Sequence, residues 1–142
     1  MDFELTEEQR QIQDEIARFA ENEIKPVATE YDTEEKFPRE IVEKAAEMGL
    51  TGANIPLEYG GAGYDTLTNA VIAEELFAAD PGIGLSIQSA AFGADALIGF
   101  GSEAQKEEYL EPVATGDAIM GTAISEPDTG SDVSSVSTQA RK

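Results

Sequence analysis

The segment Gly121-Thr122-Ala123-Ile124-Ser125-Glu126-Pro127-Asp128-Thr129-Gly130-Ser131-Asp132 divides the chain into two unlike parts. Before it, apolar residues recur at helical spacing. Around and after it, residues are small, hydroxylated and turn-forming. Ala118 to Ser125 is short and uncharged and reads as a buried strand. Glu126 to Gly130 is a turn cluster. From Val133, the sets Val133, Ser135, Ser137 and Ser134, Val136, Thr138 alternate, which favours a second strand. A strand end that delivers hydroxyls into a turn rich in backbone N–H groups suits the polar edge of a cofactor and a pyrophosphate. The same residues also suit a plain surface turn capped by Ser and Asp.

Working toward the N-terminus, Glu103 to Leu110 predicts a short helix. Ile83 to Phe100 is the least polar stretch, with Asp95 as its only charge. Ile87, Ala91, Ala94, Leu97 and Ile98 fit one helix, apolar nearly all round and buried in a bundle. Its glycines, Asp95 and acidic flanks argue against a membrane span. Thr66 is the expected cap of a helix carrying Leu67, Val71, Ile72, Leu76 and Phe77, which Asp80-Pro81-Gly82 ends. Leu50 to Asp65 reads as a loop. Within it, Gly60-Gly61-Ala62-Gly63 lacks the preceding strand and following helix of a dinucleotide-binding loop and reads as a flexible connection. Pro38 opens a helix whose apolar face is Ile41, Val42, Ala45 and Met48, with Gly49 at its C-terminal end. Thr6-Glu7-Glu8-Gln9 is a capping box. Ile12, Ile16, Phe19, Ala20 and Ile24 follow it at helical spacing, and Pro26 marks the approach to the end. The fold class is therefore mainly α: a helical bundle over residues 1–113, then the first strands of a β domain over 114–142.

Composition excludes several chemistries. The 142 residues contain no Cys and no His. Thiolate nucleophiles, disulfides, His-based triads and His metal sites are absent with them. Asp128-Thr129-Gly130-Ser131-Asp132 has alternating oxygen ligands but lacks the distal Glu of a calcium loop, so no metal site is expected. The net charge is −20, from 29 acidic and 9 basic residues. That field disfavours nucleic acid and anionic membranes. It fits a high-salt cytoplasm or simply an acidic soluble protein. Met1-Asp2-Phe3-Glu4-Leu5 has no basic and no apolar leader region, so a cytoplasmic location is expected.

The segment Ala123-Ile124-Ser125-Glu126-Pro127-Asp128-Thr129-Gly130-Ser131-Asp132 resembles the flavin-binding signature of acyl-CoA dehydrogenases: a small or apolar pair, Thr/Ser-Glu-Pro, two variable residues, Gly-Ser-Asp. Four further blocks match that family in order. They are Leu5 to Gln9, Gly49-Leu50 with Pro56 to Gly63, Val71 to Leu76, and Gly101 to Leu110. Together they span nearly the whole chain.

The resemblance implies an FAD-dependent oxidoreductase of fatty-acid β-oxidation or amino-acid catabolism. It would convert an acyl-CoA to a trans-2-enoyl-CoA, pass electrons to an electron-transferring flavoprotein and assemble as a homotetramer. A glutamate would take the α-proton and the flavin would take the β-hydrogen as hydride. The lack of His and Cys accords with that division. By the same resemblance, Thr122, Ala123, Ile124 and Ser125 lie along the flavin, with the Ser125 hydroxyl toward N5/O4. Gly130 admits the phosphates, and Ser131 sits where the pyrophosphate meets the substrate's pantetheine arm. Asp128 stands where relatives often carry a small residue and must face solvent. Gln88 and Phe92 are the candidate acyl-pocket residues, with plain bundle core as the other reading. Glu74 and Glu75 read as surface or capping groups, because the family's base lies in a later helical domain. The expectation is therefore a fragment or truncated product, without a catalytic residue of its own and with weak or absent flavin binding. Two alternatives stand beside this one: an inactive helical interaction module, and a flavin oxidase on the same scaffold.

Overall fold

The computed structural model describes residues 4–139 and 141, and among these it forms seven α-helices. The leader reading rests partly on Met1 to Phe3, which lie outside the described residues. Helix α1 spans Glu7–Phe19. Its capping box forms as expected: Thr6 Oγ1 accepts from the Gln9 N–H at 3.1 Å, and Gln9 Oε1 accepts from the Thr6 N–H at 3.0 Å. The helix runs on into a π-helical turn, Ala20–Ile24. Ile16, Phe19, Ala20 and Ile24 all enter the core. A short helix α2, Ala28–Thr33, was not foreseen. It buries no residue fully, and only Ala28 and Tyr31 pack partly against the core, too short a pattern to read as a helix.

Helix α3 is Arg39–Glu47, with Pro38 just outside it as the N-cap residue. It ends in a Schellman arrangement. The Leu50 N–H donates to Ala45 O (2.9 Å) and the Gly49 N–H to Ala46 O (2.8 Å). Gly49 takes φ +76°, a left-handed conformation suited to glycine. Helix α4 is Thr66–Ala79. Its cap is Asp65, one residue before the expected Thr66, because the Asp65 carboxylate reaches the Thr68 N–H at 2.8 Å. Asp80 both closes α4 and caps α5, Pro81–Gln88: its N–H donates to Leu76 O, and its Oδ1 accepts from the Ile83 N–H at 2.7 Å.

The single helix expected from Ile83 to Phe100 is broken. After α5 come a 3₁₀ turn, Ser89–Ala91, and helix α6, Ala94–Phe100. The cause is tertiary. The Met120 N–H takes the Ala90 carbonyl (2.8 Å), and the Gly93 N–H donates to Met120 O (3.2 Å). Nor is this stretch wholly buried. Ile83, Ile87, Ala90, Ala91 and Ala94 are inside, but Phe92 is 58% exposed and Phe100 94%. Pro81–Phe100 has the length and mean hydropathy, 20 residues and 1.3, to cross a bilayer. Ile83 and Ile87 pack into the core, and a 3₁₀ turn interrupts the stretch.

Helix α7 is Glu103–Ala114, four residues longer than expected and with Pro112 inside it. Ser102 and Gln105 form a second capping box. Val113 and Ala114 are buried, and that packing outweighs the hydrogen bond that proline removes.

Two apolar clusters organise these helices. The larger joins α1, α3, α4 and α5 through Phe19, Ile24, Ile41, Ile72, Leu76 and Ile87. The smaller joins the loop after α3 to α6 and α7 through Ile55, Tyr59, Ala94, Leu110 and Val113. Each fully buried Ile or Leu contributes roughly 1.5–3 kcal/mol. The loop between the clusters is folded back on itself by backbone hydrogen bonds. The Ala62, Gly63 and Tyr64 N–H groups donate to Gly52, Ile55 and Ala53 carbonyls at 2.8–3.0 Å. A Cβ on Gly61 would stand 2.1 Å from Ile55 O. The Tyr59 hydroxyl donates to Glu103 Oε2 at 2.7 Å, and that bond, with burial, raises the phenol to about 12.

The strands expected after residue 117 do not pair. Among the described residues this segment holds one isolated bridge, Glu126–Thr129, and a 3₁₀ turn, Val133–Ser135. Residues 118–125 carry no regular secondary structure and no ladder neighbour. Pairing is a property of a sheet, and alternation alone supplies no partner.

Candidate functional site

A cleft of about 380 Å³ opens between the loop after α3, the start of α4, and the α5–α6 junction. Gln88 and Phe92, the two expected substrate residues, both line it. Leu50, Ala53 and Ala91 add apolar wall; Asn54, Tyr64, Thr66, Asn69 and Asp95 add polar groups. Several of these are fixed. Asn69 Nδ2 donates to Tyr64 O and to Asp65 O, both at 3.1 Å. Asn54 Nδ2 donates to Asp95 Oδ1 at 2.7 Å. Thr51 is buried and donates to Ala114 O at 3.3 Å. Gln88 is half-buried.

The expected flavin segment begins beside this cleft. The two hydrogen bonds between Met120 and the Ala90/Gly93 backbone seat residue 120 against the α5–α6 junction. A Cβ on Gly93 would lie 2.7 Å from Met120 Cγ and 3.3 Å from Gly121 O, so only glycine permits this approach without adjustment. Thr122, Ala123, Ile124 and Ser125 then follow without regular secondary structure, all exposed. Their backbone amides make no hydrogen bond within the described chain. Gly130 and Ser131 lie farther along in the turn, also exposed; a Cβ at Gly130 would meet open space. Asp128 is exposed, as expected.

What holds that turn was not read from the sequence. Glu126 is its hub. Its carboxylate accepts from the Thr138 N–H (2.8 Å), the Ser137 N–H (2.9 Å) and the Ser137 hydroxyl (3.0 Å). Hydrogen bonds from Thr138 and Ser137 pull its pKa down to about 2. Asp132 caps Val133–Ser135: Oδ1 accepts from the Ser134 N–H and hydroxyl, and Oδ2 accepts from the Ser135 hydroxyl. Those bonds likewise lower its pKa. The signal for both roles is a carboxylate followed by hydroxylated residues. For Glu126, though, the partners are 11 and 12 residues away, beyond any local pattern.

Glu74 and Glu75 do not line the cleft. Glu75 accepts from Gln13 Nε2 at 2.8 Å and ties α4 to α1; Glu74 is exposed. Among the described residues, no group of three or more acidic side chains is placed to hold a metal ion.

The family model described as "Acyl-CoA dehydrogenase, N-terminal domain" matches residues 6–117. The chain is 40% identical over 141 residues to the probable acyl-CoA dehydrogenase YngJ of Bacillus subtilis (strain 168), covering 99% of this chain and 37% of that one. It is 42% identical over 138 residues to the 3-(aryl)acrylate reductase of Clostridium sporogenes (strain ATCC 15579), covering 95% and 36%. Among solved structures, it superposes on the glutaryl-coenzyme A dehydrogenase glutaryl-CoA complex with a TM-score of 0.87 at 35% identity, covering 96% of this chain and 36% of that one. The chain thus spans a little over a third of the length of these proteins. Sequence profile, relatives and superposition agree: the chain belongs to the acyl-CoA dehydrogenase family, of which it carries the N-terminal helical domain.

Proposed function

We propose that this chain forms the acyl-facing wall and the first flavin-facing strand of an FAD-dependent acyl-CoA dehydrogenase, which converts acyl-CoA thioesters to trans-2-enoyl-CoA. Residues 1–113 are read as the helical domain and 114–142 as the beginning of the β domain. The supporting observation is the seat of Met120 at Ala90 and Gly93, which starts an exposed backbone with unpaired amides beside the Gln88/Phe92 cleft. The residues present fit a flavin. Thr122 to Ser125 offer unpaired amides and two hydroxyls along an exposed edge, and the Gly130 side of the turn is open. When bound, FAD supplies the hydride acceptor. Ser125 would donate its hydroxyl at the N5/O4 edge of the ring. Gly130 and Ser131 would receive the pyrophosphate, and Gln88 and Phe92 would bound the acyl chain. Asp95, the one carboxylate lining the cleft, is exposed and bonded by Asn54. The α-proton base is assigned to the part of the family's length that this chain does not span. An electron-transferring flavoprotein as acceptor, a homotetramer and a cytoplasmic setting complete the reading. The charge of −20 favours a salt-rich cytoplasm, where screening relieves self-repulsion.

The test uses the full-length protein. It should purify with flavin absorbance and bleach an artificial electron acceptor when given an acyl-CoA. Colourless protein that takes up no FAD would overturn the reading. Oxygen consumption without an added acceptor would mark an oxidase instead. A second reading, favoured by the similarity to a 3-(aryl)acrylate reductase, runs the chemistry toward saturation. Consumption of an enoyl substrate with reductant, in place of dye bleaching by the acyl substrate, identifies it.

A further inference from the structure

Resting on that reading of the cleft as the acyl site, we infer that it selects against acyl groups ending in a carboxylate, and that Asp95 is the specificity-determining residue. Three observations carry this. First, among the described residues that line the cleft the only charged one is Asp95; every other polar group there is an amide or a hydroxyl. Asn54 Nδ2 occupies Asp95 Oδ1 at 2.7 Å, which fixes the side chain and leaves Oδ2 free. Second, among the described residues that line the cleft there is no cation to neutralise a second carboxylate. From Ala45 through Gln105, the stretch that supplies every lining residue, there is no Lys or Arg, against eight acidic residues: Glu47, Glu58, Asp65, Glu74, Glu75, Asp80, Asp95 and Glu103. Third, the Gln88 side-chain amide is half-buried in the wall and makes no hydrogen bond within the described chain, so it can bond a neutral polar tip.

An apolar wall of Leu50, Ala53, Ala91 and Phe92 accepts a neutral chain at no electrostatic cost. An ω-carboxylate would enter beside a like charge with no counter-ion among the described lining residues, and the exposure of Asp95 lets water and salt screen the repulsion in part. The similarity to a protein solved with glutaryl-CoA therefore does not extend to the acyl tip.

The full-length flavoprotein should be assayed with pentanoyl-CoA and glutaryl-CoA, which have equal carbon counts and differ in the terminal carboxylate. The expected kcat/KM ratio favours pentanoyl-CoA by about tenfold or more at low salt, and added salt narrows it. Asp95→Asn, which can keep a hydrogen bond to Asn54, and Asp95→Ser should both narrow the ratio severalfold. Glu74→Gln removes a charge of the same sign away from the cleft and should leave the ratio unchanged. A wild-type preference for glutaryl-CoA, or a ratio unmoved in both Asp95 variants while pentanoyl-CoA is still turned over, overturns this inference alone. Turnover of neither thioester overturns the acyl-site reading together with it.

Discussion

The helical body and the segment after residue 117 are held by different physics. The body is stabilised by non-local apolar packing: Ile24, Ile55, Ile72, Leu76, Ile87 and Leu110 are essentially inaccessible to water. The later segment buries almost nothing. Ile119, Ile124, Val133 and Val136 are exposed, and its shape depends on two carboxylates accepting from nearby N–H and hydroxyl groups. Apolar burial does not titrate, whereas carboxylate hubs do. The two regions should therefore fail under different insults.

The largest effect should come from the body. Leu76→Ala opens a cavity where α4 meets the core and should cost about 2–5 kcal/mol in urea unfolding. Ile124→Ala should stay within about 0.5 kcal/mol. Equal losses would erase the distinction. Next, Gly93→Ala strikes the junction. Its Cβ falls on Met120 Cγ at 2.7 Å, so it should cost about 1–3 kcal/mol and speed amide exchange at Met120. Thr6→Ala removes half of the first capping box and should cost about 1 kcal/mol, with no change after residue 117. The smallest global effect belongs to Glu126→Gln. It should leave the body's unfolding midpoint in place while releasing the Ser137 and Thr138 amides, read by NMR shifts.

The same release should follow acid. Glu126 has its folded pKa depressed from the ordinary 4.5 to about 2. Its contribution is present above the unfolded value and is lost as pH falls through the folded one. The Ser137 and Thr138 amide signals should thus move as pH falls through about 2, with little change near 4.5. A titration of those signals centred near 4.5 instead would mean that Glu126 does not organise the turn.

Sequence legibility follows the same division. Thr6 with Gln9, and Gly49 after Met48, are local signals, and both formed. The Asp65/Thr66 choice turned on reach, which a one-dimensional pattern does not encode. The break at Ser89–Gly93 was illegible because no residue there forbids a helix; Met120, thirty residues on, takes the Ala90 carbonyl. Gln88 and Phe92 were identified by resemblance, and the structure brings them to one cleft. Asn54 and Asp95, 41 residues apart, left no trace in spacing. The strand pattern after Ala118 was a statement about neighbours that the chain's own helices do not provide.

Asp80 has a consequence for how such a pocket can change. It is at once the C-cap of one helix and the N-cap of the next, so the joint has no slack. Inserting or deleting a single residue there would turn Gln88 and Phe92 by about 100° and slide them by roughly 1.5 Å. Length variation at this hinge would scramble the wall instead of deepening it. Tuning what the cleft accepts is thus left to exchanging side chains, one position at a time.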